Sequence, residues 1–147
     1  MDKPMPDFAA LGGGSMLHQV SRELTNLLDR QLAQHDLTTQ QAALLTHAAG
    51  GPVTPSSLRE DLGTDTAGMT RLVDRLEGKG LLRRAPHVAD RRAVVIELTP
   101  AGRALLPHVP PIFARTVGRM FADFSPAELT QFNALLRRAH TNLTATP

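Results

Sequence analysis

The sequence has 147 residues, a formal net charge of +2 and 41% apolar residues, enough for one compact domain with a core of its own. It contains no cysteine, tryptophan or tyrosine, which excludes disulfides, thiolate metal sites, cysteine nucleophiles and cysteine-based redox sensing. No apolar run approaches the roughly 20 residues of a membrane span, and no charged leader precedes an apolar core. The expected location is therefore the cytoplasm, away from any membrane.

In chain order, residues 1–14 hold Pro4, Pro6 and the run Gly12-Gly13-Gly14, which predicts a flexible N-terminal arm. Ser15 is placed to cap a helix over residues 15–35, where Leu17, Val20, Leu24, Leu27, Leu28 and Leu32 recur at three- and four-residue steps. Thr38 or Thr39 caps a shorter helix that stops at Gly50-Gly51-Pro52. Thr54-Pro55 opens another short helix, ended by Gly63, because proline suits the first helical turn. Thr64-Asp65-Thr66 then caps a helix over residues 65–78, with Met69, Leu72, Val73 and Leu76 as its buried stripe. Two short helices joined by a tight glycine turn form the skeleton of a helix-turn-helix.

Residues 81–85 and 93–98 read as strands around the polar turn 86–92, a hairpin placed as a wing. Thr99-Pro100 caps a helix expected to reach residue 124, with a kink or break from Pro107, Pro110 and Pro111. Ser125-Pro126 with Glu128 is a capping box for the last helix, whose stripe is Leu129, Phe132, Leu135, Leu136 and Leu143. The fold class is mainly α with a small β-hairpin wing, a winged helix-turn-helix.

Charge distribution says more than its total. All but Lys3 and Lys79 of the 16 cationic side chains are arginine, whose planar fork suits phosphates and base edges. Residues 66–92 carry seven cations (Arg71, Arg75, Lys79, Arg83, Arg84, Arg91, Arg92) against Asp74, Glu77 and Asp90. Such a basic concentration is the electrostatic footprint of a nucleic-acid binder. The six histidines lack a metal-ligand spacing, and no nucleophile cluster, carboxylate pair or phosphate-loop motif is present. An enzyme, a metal and a cofactor are accordingly not expected.

The stretch 58–102 closely resembles the MarR family. The likeness rests on Leu58-Arg59-Glu60-Asp61-Leu62-Gly63 and on Thr70-Arg71-Leu72-Val73-Asp74-Arg75-Leu76-Glu77-Gly78-Lys79-Gly80-Leu81-Leu82-Arg83-Arg84. Asp90-Arg91-Arg92 and Leu98-Thr99-Pro100-Ala101-Gly102 continue it in order. The resemblance implies a homodimeric regulator in which residues 15–147 form one domain. Its DNA-binding lobe would span about residues 38–99, and a dimerisation lobe would combine residues 15–35 with 100–145. Each winged helix would occupy one half-site of a pseudo-palindromic operator in double-stranded DNA. Family members are mostly repressors, often released by small aromatic or phenolic ligands held between the lobes; the sequence assigns no ligand-binding residue.

On this reading the recognition helix offers Thr66, Gly68, Thr70, Arg71 and Arg75 to the major groove, since its apolar stripe must face the protein. Arg71 suits a bidentate contact to guanine, or a pair with Asp74 on its own helix. Ser56 and Ser57 either donate to a phosphate or only cap their helix. By family likeness Arg92 enters the minor groove, Arg91 touches phosphate or solvent, and Asp90 braces Arg92 or another arginine, with Arg75 and Arg84 as candidate partners. The competing reading is a winged-helix dimer repurposed as a protein-interaction module without ligand response.

Overall fold

The computed structural model describes residues 8–145. Helix α1 (Phe8–Leu32) runs into a 3-10 turn at Ala33–His35, which Asp36 closes in the left-handed conformation at φ 55°. Helix α2 (Thr39–His47) follows. Its cap is Thr38, whose hydroxyl accepts from the Gln41 N–H while the Gln41 side chain accepts from the Thr38 N–H. Gly51 then turns the chain at φ 138°, a conformation that residues with a Cβ rarely adopt, and Val53 bridges to Ile96.

Thr54 caps α3 (Pro55–Leu62), and Gly63 at φ 62° ends it. Asp65 caps α4 (Thr66–Gly78) by accepting the Gly68 N–H at 2.6 Å. Strands β1 (Leu82–Pro86) and β2 (Val94–Leu98) pair antiparallel, with Leu82 opposite Leu98 and Arg84 opposite Ile96. Thr99 caps α5 (Pro100–Leu105), a 3-10 turn follows at Leu106–His108, and α6 (Val109–Met120) resumes the helix. Pro107 lies in the expected break, while Pro110 and Pro111 occupy the first turn of α6, where an amide hydrogen has no intrahelical partner anyway. Ser125 and Glu128 form the capping box of α7 (Pro126–Thr144).

The core gathers Leu28 and Leu32 of α1, Leu44 and Leu45 of α2, Leu58, the full stripe of α4, Leu82 and Ile96 of the hairpin, and Ile112 of α6. Buried Thr116 accepts a hydrogen bond from Gln31 at 3.1 Å and ties α6 to α1. Asp29 of α1 accepts from both the backbone N–H and the hydroxyl of Thr39, fixing the start of α2. The Lys79 ammonium, just past α4, donates to the Asp36 carbonyl and to the Gln41 side-chain oxygen, and lies 3.4 Å from the Asp36 carboxylate. The end of α4 is thereby tied to the α1–α2 corner.

Three expectations need correction. Residues 8–14 are helical instead of part of an arm, so Ser15 is an interior residue and caps nothing. Glycine costs about 1 kcal/mol per residue relative to alanine in a helix but does not forbid it, and Gly12, Gly13 and Gly14 all keep ordinary negative φ. The remaining arm residues, 1–7, lie outside the described residues. Second, α6 ends at Met120, not near residue 124, because the chain turns through Asp123 at φ 67°. Third, the two strands begin one residue later than the sequence pattern indicates.

Among the described residues α7 buries no side chain. Its Leu135 and Leu143 are exposed, as are Leu11, Met16, Leu17 and Val20 on α1. Phe121, Phe124 and Phe132 pack edge to face at the α6–α7 corner, with centroids 5.4 to 6.2 Å apart. A groove of about 320 Å³ between α1 and α6 is lined by Met16, Val20, Leu24, Leu27 and Met120. No described helix is long and apolar enough to cross a membrane.

Candidate nucleic-acid interface

Helix α4 turns Met69, Leu72, Val73 and Leu76 into the core, so its opposite face is fixed by the 3.6-residue period. That face exposes Thr66, Thr70, Arg71, Asp74 and Arg75. Thr70 donates its hydroxyl back to the Thr66 carbonyl at 3.0 Å, and the Thr66 hydroxyl accepts from Arg59 of α3 at 2.8 Å. Arg59 is a residue that sequence reasoning missed. It links the two helices of the helix-turn-helix across seven positions, a separation that carries no local signal. Gly68 is constrained within the protein itself, because a Cβ there would lie 2.3 Å from the Thr64 hydroxyl.

Ser56 and Ser57 stand exposed at the start of α3 and are both engaged with its cap. The Ser57 hydroxyl donates to the Thr54 carbonyl at 3.0 Å and accepts from the Thr54 hydroxyl at 3.2 Å, with Ser56 3.4 Å from that same hydroxyl. Local capping is thus present, and both serines remain open to solvent.

At the wing tip, the His87 N–H donates to the Ala93 carbonyl and the Ala93 N–H to the Asp90 carbonyl. The Asp90 carboxylate accepts the backbone N–H of Arg92 at 3.0 Å. It therefore shapes the turn that carries Arg92 and pairs with no guanidinium among the described residues. The expected Asp90–Arg84 brace does not form. Strand alternation explains why: Arg83 and Arg84 leave opposite faces of β1. Arg83 meets its register partner Glu97 at 2.9 Å, and Arg84 reaches Asp74 and Glu77 of α4 at 2.5 and 2.7 Å.

The charge balance of residues 66–92 resolves accordingly. Lys79, Arg83 and Arg84 are engaged by internal partners. Arg71, Arg75, Arg91 and Arg92 are exposed and have no carboxylate within ion-pair distance among the described residues. Both carboxylates of α4 are occupied by Arg84, including Asp74, which lies three residues from Arg71. Four unneutralised guanidinium groups thus occupy one helix and the adjoining wing.

Beside α4 lies a cleft of about 750 Å³, bounded by α1 and the start of α2. Thr25, Asp29, Thr39 and Asp65 line it together with Arg71 and Arg75, and no aromatic side chain does. No group of three or more potential metal ligands occurs among the described residues.

A MarR family model matches residues 35–93. The chain is 32% identical over 131 residues to the HTH-type transcriptional regulator PecS of Dickeya dadantii, covering 86% of this chain and 79% of that protein. It is 36% identical over 93 residues to the multiple antibiotic resistance protein MarR of Salmonella typhimurium, covering 63% of this chain and 65% of that one. Among solved structures, mutant MarR from E. coli complexed with operator DNA superposes with a TM-score of 0.79 at 26% identity, over 86% of this chain and 91% of that one. Bordetella bronchiseptica BpsR, whose DNA binding is regulated by 6-hydroxynicotinic acid, gives a TM-score of 0.80 at 25% identity, over 90% and 94% of the two chains.

Proposed function

This chain belongs to the MarR family, and from that premise we propose that it is a sequence-specific, homodimeric transcriptional regulator, not an enzyme, that represses from a pseudo-palindromic operator. The observation that carries this reading is the set of four exposed arginines on α4 and the wing that have no carboxylate partner among the described residues. Helix α4 enters the major groove with Thr66, Gly68, Thr70 and Arg71 toward base edges. A bidentate Arg71–guanine contact discriminates by about 1–3 kcal/mol. Arg75 and Arg91 neutralise phosphates, and the exposed Ser56 and Ser57 at the α3 start hold the backbone in register. The wing delivers Arg92 to the minor groove, where a narrow A·T-rich segment concentrates negative potential.

Dimerisation follows from the apolar surface that one chain leaves open. Helix α7 has a hydrophobic stripe of which Leu135 and Leu143 are exposed and no residue is fully buried, while α1 and α6 offer the complementary groove at Met16, Val20 and Met120. A second copy satisfies both at once and sets the two α4 helices against successive major grooves. The cleft beside α4 holds the effector. Because Arg71 and Arg75 line that cleft, an occupant draws on the side chains that DNA needs. The family precedent of a small aromatic or phenolic ligand supports an effector, although the cleft itself presents hydroxyls, carboxylates and guanidinium groups.

Selection of genomic fragments by the purified protein tests the proposal. Enrichment of an inverted repeat with half-sites about one helical turn apart is expected. Absence of enrichment with a folded dimer would overturn the reading in favour of a repurposed interaction module.

A further inference from the structure

Arg84 is bound by α4 more completely than a surface arginine needs to be. Its Nη2 donates to Asp74 Oδ1 at 2.5 Å and its Nη1 to Glu77 Oε1 at 2.7 Å. Its backbone N–H also donates to Glu77 Oε2 at 3.1 Å. The hydrogen bond to Asp74, opposed by burial and supported by the charges of Glu77 and Asp74, holds its proton more firmly than usual. Asp74 and Glu77 are the only acidic residues within α4, and Arg71 and Arg75 its only basic ones. One strand residue therefore occupies every carboxylate that the helix carries.

The helical period dictates the consequence of removing Arg84. Asp74 lies three residues after Arg71 on the exposed face, the spacing at which oppositely charged helical neighbours pair. A released Asp74 takes Arg71. Glu77 has no cation three or four residues away on either side within α4, so it stays an uncompensated anion beside the surface that meets phosphate. Both changes weaken an interface built on arginine.

We propose that Arg84 is a positioning residue for DNA recognition: by clamping Asp74 and Glu77 it keeps Arg71 free for a base edge and ties both carboxylates to the wing strand, its one positive charge offsetting one of their two negative charges. This inference rests on the DNA-binding reading. It differs from a purely mechanical role, in which Arg84 only sets the angle of the wing against α4, because the carboxylates and not the clamp are what must be silenced.

Fluorescence-anisotropy titration of the selected duplex across a salt series separates these roles, using the full chain and variants with matched unfolding midpoints. Arg84→Gln is expected to weaken binding about tenfold, the scale of one lost arginine–guanine contact. The triple variant Arg84→Gln, Asp74→Asn, Glu77→Gln has neither clamp nor carboxylates and is expected to bind within about threefold of the parent. In an Arg71→Ala background, Arg84→Gln should cost much less than in the parent, because the group whose freedom it protects is already gone. If Arg84→Gln prevents folding, Arg84→Lys, which can hold only one carboxylate well, takes its place. A triple variant as weak as Arg84→Gln would overturn the charge-silencing role in favour of wing geometry, and unchanged binding by Arg84→Gln would remove any role. If the parent binds no duplex, the DNA-binding reading itself has failed.

Discussion

Gly102→Ala isolates the joint between the wing and the helices beyond it. Gly102 is buried in the first turn of α5, and a Cβ built there would lie 2.0 Å from the Leu81 carbonyl oxygen and 3.0 Å from its carbonyl carbon. Ordinary contact needs more than another ångström, and the obstacle is backbone, so it cannot rotate away. That same carbonyl accepts the Thr99 N–H at 3.2 Å, while the Thr99 hydroxyl donates to the Gly80 carbonyl at 2.6 Å. Separating α5 from residues 80 and 81 therefore strains packing by about 1–3 kcal/mol and weakens a backbone hydrogen bond worth about 1 kcal/mol. Improved helix propensity returns up to about 1 kcal/mol. The net expectation is a loss of about 1–3 kcal/mol, or roughly 3–10 °C in Tm for a chain of this size. Thermal and urea unfolding followed by circular dichroism measures it, at fixed protein concentration because the stability of a dimer varies with concentration. Gly78→Ala, at the exposed end of α4, is the control: no atom lies within 4 Å of a Cβ built there, and its φ is not positive. It should shift stability by no more than about 0.5 kcal/mol. Equal midpoints for the two glycine variants would refute the reasoning.

Lys79→Met should lower the urea midpoint by an amount equivalent to about 1–2 kcal/mol, because Gln41, 3% exposed, loses its charged donor and the end of α4 loses its tie to Asp36. An unchanged midpoint would show the tie to be energetically idle. Arg92→Ala should weaken operator binding while sedimentation still reports a dimer, and unaltered affinity at moderate salt would remove the minor-groove assignment. Ending the chain before Ser125 deletes α7, none of whose residues is fully buried within its own chain and which meets it through Phe132 on Phe121 and Phe124. The product should therefore keep the secondary structure of the winged helix yet sediment as a monomer; a persistent dimer would place the interface elsewhere.

Much of this architecture was legible because it is written in local chemistry. Thr54-Pro55, Thr99-Pro100 and the Ser125/Glu128 box each cap the helix that the sequence assigns them, and the 3.6-residue stripe of α4 identifies its outward face. The start of α1 was not legible, since glycine is a statistical breaker that the right-handed helix nevertheless admits. Partner choice among charges was not legible either. Whether Arg84 meets Asp90 or Asp74 depends on strand register and on which face of β1 abuts α4, both properties of the assembled fold. The Arg59–Thr66 contact is of the same kind. Position along the chain nominated the arginines, and packing decided which were left unpaired.

Whether the unpaired arginines of α4 and the wing read duplex DNA is tested most directly by anisotropy binding of the protein to the DNA upstream of its own gene, against scrambled competitor over a salt series. Sequence-selective binding by two subunits is predicted, with log K falling against log salt at a slope of roughly −4 to −7, as expected when about four to eight phosphates are neutralised. A folded dimer that shows no preference between the two duplexes and a slope near zero would contradict it.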